Sequence, residues 1–179
     1  KKIKLEKQKV LSELKLIKKE IKNINFLDLA CGTGRWSIFF HKKFKHITAV
    51  DYSRNTLSIF KKIIKLQKIK NINIVEKNIN YFKPINQYDL VWISGLLIYL
   101  NNNEIKKLLK KINKIQSYKS IVLLRDGTSI KKKEFNIKNK FSKGLNSKYS
   151  AKYRTKNQYK KIFEENGYKL LRCSNFFKN

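Results

Sequence analysis

A short apolar run ending in a glycine turn constrains this chain more than any other feature. Asn25–Ala30 reads NFLDLA and passes directly into Cys31-Gly32-Thr33-Gly34-Arg35-Trp36. An apolar run closed by glycines predicts a buried strand, and Arg35–Lys43 predicts a helix immediately beyond the turn. Strand, glycine turn and helix form a ligand cradle at the carboxyl edge of a doubly wound sheet. Gly32 and Gly34 let the backbone turn tightly and approach a ligand with no Cβ in the way. The free N–H groups that open the helix favour an anionic group there. Asp51 follows 17 residues after Gly34, at the end of a second apolar run, His46–Val50. A carboxylate at that point can accept two hydrogen bonds from the vicinal hydroxyls of a ribose.

The rest of the chain keeps the alternation. Residues 3–22 predict a helix with Val10, Leu14, Ile17 and Ile21 on one face. Ser53 is an N-cap for a helix from Arg54 to about Lys68, with Leu57, Phe60 and Ile64 inward. Asn73–Glu76, Tyr88–Ser94 and Ile121–Arg125 predict three more strands. Asn101 with Glu104, and Thr155 with Gln158, are capping boxes for helices over Ile105–Ile115 and from Thr155 to a stop at Gly167. Lys169–Phe177 predicts one or two final strands, and residues 127–154 carry no firm assignment. Strands alternating with helices give an α/β fold, a three-layer sandwich around a mostly parallel sheet. The 179 residues form one domain with no interdomain linker.

The charge needs care before it is given a ligand. The formal net charge is +31, from 43 Lys and Arg against 12 Asp and Glu. Lys, Ile and Asn supply 80 of the 179 residues, and only five of the basic residues are Arg. All three have AT-rich codons, and the lysines are spread along the chain, so a solvated lysine coat accounts for most of the excess. Nonspecific nucleic-acid binding is the expected consequence of the remainder. Cys31 and Cys173 show no metal spacing and read as free thiols in a reducing cytosol, which makes a cytoplasmic location the expectation. His41 and His46 have no third ligand nearby, so no metal site is expected. No apolar run approaches a membrane span. The chain starts at Lys1 and contains no Met, which suggests a missing upstream segment.

Two ligand classes fit the glycine turn. A dinucleotide site wants G-x-G-x-x-G, and here Ser37 stands where the third glycine belongs. The whole string FLDLACGTGRW instead resembles the first motif of class I, Rossmann-like S-adenosylmethionine-dependent methyltransferases, with Ala30 at a position more commonly Gly. AVDYS around Asp51 resembles the second motif, NIVEKNINYF the third and YDLVWISGLLIYL the fourth. YRTKNQYKKIFEENGYKLL is similar to the family's late helix-and-strand unit, and the resemblance spans about residues 24–175. It implies a seven-stranded sheet whose last strand is antiparallel. It also implies S-adenosylmethionine as cofactor, met by Asp28, Ala30, Cys31, Gly32, Thr33, Gly34, Asp51, Tyr52 and Ser94, with Asn78 and Ile79 near the adenine.

The acceptor side is less specific. No nucleophile–base pair stands out, and Ser94-Gly95-Leu96-Leu97 replaces the N/D-P-P-Y string that marks methylation of exocyclic base or amide nitrogens in related families. Tyr99, Arg125, Asp126, Tyr149, Tyr153 and Arg154 are the candidate acceptor residues, under a lid made of residues 127–154 and the N-terminal helix. Trp36, Trp92 and Asp89 read as structural. The expected activity is methyl transfer to a small-molecule or glycan-like acceptor. The alternatives are an RNA or protein methyltransferase that uses the basic surface, and a Rossmann-like NAD-binding enzyme or a silent cofactor-binding module.

Overall fold

A computed structural model describes residues 2–16, 20–84, 86–143 and 146–175. The elements run α1 (Lys2–Glu13), β1 (Asn25–Leu29), α2 (Arg35–Phe40), β2 (His46–Asp51), α3 (Arg54–Leu66), β3 (Ile72–Glu76) and β4 (Tyr88–Ser94). Then follow α4 (Asn102–Asn113), β5 (Gln116–Arg125), β6 (Phe135–Ser142), β7 (Ser147–Tyr153) and α5 (Lys156–Glu164). Five parallel strands form one sheet in the order β3-β2-β1-β4-β5, and β6 and β7 pair antiparallel in a second sheet of their own.

The strands sort their side chains by parity. Phe26, Leu90 and Trp92 pack with Val10, Trp36, Phe40, Leu57 and Phe60, which belong to α1, α2 and α3. Leu27, Leu29, Val91 and Ile93 pack on the other face with Ile105, Leu108 and Leu109 of α4 and Tyr159 and Ile162 of α5. Both faces of the sheet are therefore covered, as the apolar runs without strict polar alternation require. Each fully buried large side chain contributes about 1.5–3 kcal/mol, and Trp92, Phe26, Phe40 and Phe60 are all fully buried. Trp36 and Trp92 lie together, their ring centroids 4.8 Å apart, so both belong to the core as expected. Asp89 is structural too: its carboxylate accepts from the Asn25 N–H and from Ser117 Oγ.

The caps form as the sequence predicts. The Glu104 N–H donates to Asn101 Oδ1 and the Asn101 N–H returns to Glu104 Oε2. Thr155 and Gln158 repeat the pattern at α5, and Ser53 Oγ accepts the Thr56 N–H at α3.

Several expectations are corrected. The seven-stranded sheet is not formed among the described residues: five strands are parallel, and β6 and β7 stand apart as a ribbon. Residues 168–175 carry no strand, and the end of the expected strand, Phe176 and Phe177, lies outside the described residues. Leu170 and Leu171 there are exposed, so that stretch buries too little to pair. The N-terminal helix is shorter than 3–22. It gives way to 3-10 turns at Leu14–Leu16 and Ile21–Asn23, and Ile17 lies outside the described residues. The helix after the glycine turn ends at Phe40 rather than Lys43. β5 is longer than Ile121–Arg125, extending back to Gln116 through an irregularity opposite Tyr88–Leu90.

Candidate active site

Alternate residues of the turn after β1 lie in the left-handed region. Ala30, Gly32 and Gly34 have φ of 58°, 55° and 76°. The Cys31 N–H donates to the Val50 carbonyl at 3.0 Å, and the Gly34 N–H to the Cys31 carbonyl at 2.9 Å. Gly34 is forced by packing as well as by φ, because a Cβ there would lie 2.2 Å from the Phe60 ring. Gly32 differs: nothing lies within 4 Å of where its Cβ would stand, so open space faces the turn.

Asp51 ties this turn to the end of β2. Its Oδ2 accepts the Gly32 N–H and its Oδ1 the Ser53 N–H, both at 2.8 Å. Each oxygen keeps a lone pair for a further donor. Asp28 faces the other way. It is fully buried, its Oδ2 accepts from Ser37 Oγ at 2.7 Å, and burial pushes its carboxyl up to about 7. Asp28 therefore orders the turn from below. Burial and the two nearby carboxylates push the half-buried Cys31 thiol up, so it stays protonated. Thr33, Tyr52 and Asn78 are exposed, and Ile79 packs on the core. Asn78 Oδ1 accepts the Asn80 N–H at 2.9 Å, which shapes the loop after β3.

The other half of the same sheet edge carries the acceptor candidates. The Gly95 N–H donates to the Arg125 carbonyl at 2.9 Å, and Arg125 Nη1 reaches Ser94 Oγ at 3.4 Å. Asp126 Oδ2 accepts the Ile98 N–H at 3.1 Å and Oδ1 the Gly127 N–H at 3.2 Å. Burial pushes Asp126 up to about 6 against these bonds. Ile98 and Tyr99 belong to a 3-10 turn, Leu97–Tyr99. The Tyr153 ring presses on Gly127, where a Cβ would stand 2.9 Å away, and stacks on Phe135 with centroids 4.8 Å apart. Burial and a hydrogen bond to Tyr149 push the Tyr153 hydroxyl up; burial and Asp126 do the same to Tyr99. Tyr99, Asp126, Tyr149 and Tyr153 thus form one cluster.

Arg154 corrects its expectation as a ligand-facing charge. It is fully buried, and its guanidinium donates to the Leu97 and Leu100 carbonyls and to Asn102 Oδ1. It positions the turn that carries Tyr99. The sequence reasoning missed Glu6 of α1, which is 4% exposed and bridges Arg35 at 3.1 Å and Arg125. Glu6 thereby links the helix after the glycine turn to the end of β5. Its signal was its rarity, one of 12 acids in a chain with 43 basic residues. No cluster of metal-binding side chains occurs among the described residues.

Known proteins agree with this layout. A family model described as a methyltransferase domain matches residues 26–117. Demethylmenaquinone methyltransferase of Listeria welshimeri is 32% identical over 76 residues, covering 40% of this chain and 32% of that protein. The chain thus spans about a third of the length of the curated relatives it matches. An S-adenosylmethionine-dependent methyltransferase from Clostridium acetobutylicum superposes with a TM-score of 0.70 at 15% identity, covering 91% of this chain and 79% of that one. The glycopeptide N-methyltransferase MtfA, complexed with S-adenosylmethionine, gives 0.71 at 15% identity over 90% of this chain and 82% of that one. The chain belongs to the methyltransferase domain family, of the class I, Rossmann-like, S-adenosylmethionine-dependent kind. No helix among the described residues is long and apolar enough to cross a membrane.

Proposed function

We propose that this chain, as one domain over residues 1–179, transfers a methyl group from S-adenosylmethionine to a small-molecule or glycan-like acceptor. One observation carries the proposal. A single sheet edge holds an open glycine turn bonded to Asp51 on one half, and an Asp126–tyrosine cluster on the other. The turn suits the cofactor. The space facing Gly32 is clear of protein, and the free lone pairs of Asp51 match the two hydroxyls of a ribose. Residues Ala30–Gly34 would meet its amino-acid portion and Asn78–Ile79 its adenine.

When bound, S-adenosylmethionine supplies a methyl carbon whose bond to sulfur breaks as an acceptor lone pair bonds to it, the electron pair staying on sulfur. The protein's part is to orient the acceptor, exclude water and, where the acceptor atom carries a proton, receive it. Asp126 would receive that proton. Ser94 would lie between the two halves, and the 127–154 segment with α1 would cover the acceptor side. Calorimetry with S-adenosylmethionine, S-adenosylhomocysteine and NAD, followed by methyl-transfer screening of acceptor pools, tests the proposal. Binding of NAD without either adenosyl compound would overturn it.

A second proposal, an RNA acceptor, draws on the β6–β7 ribbon. Residues 127–154 hold eight Lys and one Arg against one Glu, and Phe141 is exposed among them. RNA binding that survives high salt would favour this alternative.

A further inference from the structure

We infer that the acceptor is a cationic amine, its nitrogen seated against the Asp126 carboxylate and its carbon substituents against the rings of Tyr99 and Tyr149. This rests on the methyl-transfer proposal above and adds the chemistry of the acceptor to it.

The first argument is charge. The chain carries 12 acids against 43 basic residues and only four Asp. Asp28, Asp51 and Asp89 are spent on Ser37, on the glycine turn and on the start of β1. Asp126 is the Asp at the acceptor half of the edge. The hydrogen bonds it accepts from Ile98 and Gly127 are neutral backbone bonds. Arg125, next in sequence, bonds Glu6 and Ser94 through its guanidinium, and its charge is the smallest of the influences acting on Asp126. A half-buried carboxylate held by neutral donors, in a protein of +31, is a place for a ligand cation rather than a ligand anion.

The second argument is the ring of aromatics. Tyr99 comes from the 3-10 turn beside Ile98, and Tyr149 and Tyr153 from one face of β7, two residues either side of buried Ala151. The Tyr153 ring abuts Gly127 and stacks on Phe135, so it braces the cluster and the ligand-facing rings are those of Tyr99 and Tyr149. Tyrosine faces attract ammonium groups, and several around one carboxylate form an aromatic cage. The hydroxyls of Tyr99 and Tyr153 are pushed up by burial, so the phenols stay neutral and the negative charge of the cage is that of Asp126. Tyr159 of α5 and Arg125 of β5 are the other titratable groups nearest Asp126.

The seat also supplies the proton step. An ammonium nitrogen has no lone pair. One N–H bond breaks, an O–H bond forms on Asp126, and the freed pair on nitrogen becomes the nucleophile. Partial desolvation of the ammonium favours this loss, and a carboxyl raised to about 6 is a stronger base than an exposed one. The proton then passes from the half-buried Asp126 carboxyl to water.

The test uses two molecules of one shape, choline and 3,3-dimethylbutan-1-ol, titrated by NMR into the intact chain, with S-adenosylhomocysteine affinity measured on the same preparation. Choline should bind roughly tenfold tighter than the alcohol. Asp126→Asn and, separately, Tyr99→Leu should remove most of that difference while leaving S-adenosylhomocysteine affinity unchanged. Tyr99 is 49% exposed, so its variant should keep the wild-type melting temperature. Equal binding of the two molecules, or variants that keep the preference, would overturn the cage. S-adenosylhomocysteine binding without a choline preference defeats the cage alone. A choline preference lost in both variants, without S-adenosylhomocysteine binding, upholds the cation seat and defeats the methyl-transfer proposal.

Discussion

The Gly32 N–H donates to Asp51 Oδ2 across 2.8 Å, joining the turn after β1 to the end of β2. The other Asp51 oxygen takes the Ser53 N–H, so one carboxylate sets both the cradle and the start of α3. Asp51→Ala should weaken S-adenosylmethionine binding by about 1.5–3 kcal/mol, the scale of hydrogen bonds to a charged group. Asp51→Asn should lose less, because its amide oxygen can still accept one backbone N–H. Calorimetry with S-adenosylhomocysteine measures both, and an alanine variant of wild-type affinity contradicts the assignment.

Ala30 sits at φ 58°, where a Cβ costs about 1–2 kcal/mol relative to glycine. Ala30→Gly should therefore raise the melting temperature, offset in part by the greater freedom of glycine in the unfolded chain. Gly34→Ala should lower it sharply, since φ is 76° and the Phe60 ring lies 2.2 Å from the new carbon. Thermal melts of the two variants give opposite signs if the turn is as described.

Asp28 links stability to pH. Burial raises its folded-state value from 3.8 to about 7. Between those values the folded chain holds a proton that the unfolded chain has released, so stability falls as pH rises from about 4 to 7. Asp28→Asn cannot titrate and should flatten that part of the profile. Denaturant melts at pH 5 and pH 8 compare the two proteins. A wild-type profile no steeper than that of the variant contradicts the account.

The sequence made the cradle legible because its constraints are local. An apolar run, two glycines and an acid after the next strand each leave a signature within a few residues. The capping boxes at Asn101 and Thr155 were legible for the same reason. The β6–β7 ribbon was not: lysines and asparagines occupy both faces, which erases the period-2 signal, and its pairing is interrupted between Ile137 and Lys140. Arg154 misled because a scarce arginine beside a tyrosine suggests a ligand, whereas its partners, the Leu97 and Leu100 carbonyls, lie more than fifty residues away. Glu6 was hidden in the same way, since Arg35 and Arg125 meet it only in the fold.

Arg154→Met should separate the two halves of the site. Methionine fills part of the volume but leaves the Leu97 and Leu100 carbonyls and Asn102 without their donors. Leaving a buried acceptor without its donor costs about 1–3 kcal/mol. The turn bearing Tyr99 should then lose its position, and methyl transfer should fall at least tenfold. S-adenosylhomocysteine affinity should stay within about twofold, because Asp51 and the glycine turn lie on other strands. Equal losses in both measurements would mean that the variant unfolds, and a melt on the same sample distinguishes that case.

The basic ribbon should bind polyanions without regard to sequence. Lys138, Lys140 and Lys148 are exposed on β6 and β7, and Lys131–Lys133 precede them on the same segment. Each phosphate neutralised on a single strand releases counterions, so log affinity should fall with log salt at a slope of roughly −0.7 per contact. Titrating a fluorescent single-stranded RNA between low and physiological salt measures that slope. Replacing Lys138, Lys140 and Lys148 with Gln should lower the slope by about two units if all three touch phosphate. The same triple variant should keep its methyl-transfer rate on a small acceptor, since none of these lysines belongs to the Asp126 cluster. If the substitutions abolish transfer while the melting temperature holds, the ribbon docks the true acceptor. An RNA acceptor would then displace the small molecule, and retained binding at high salt would add to that case.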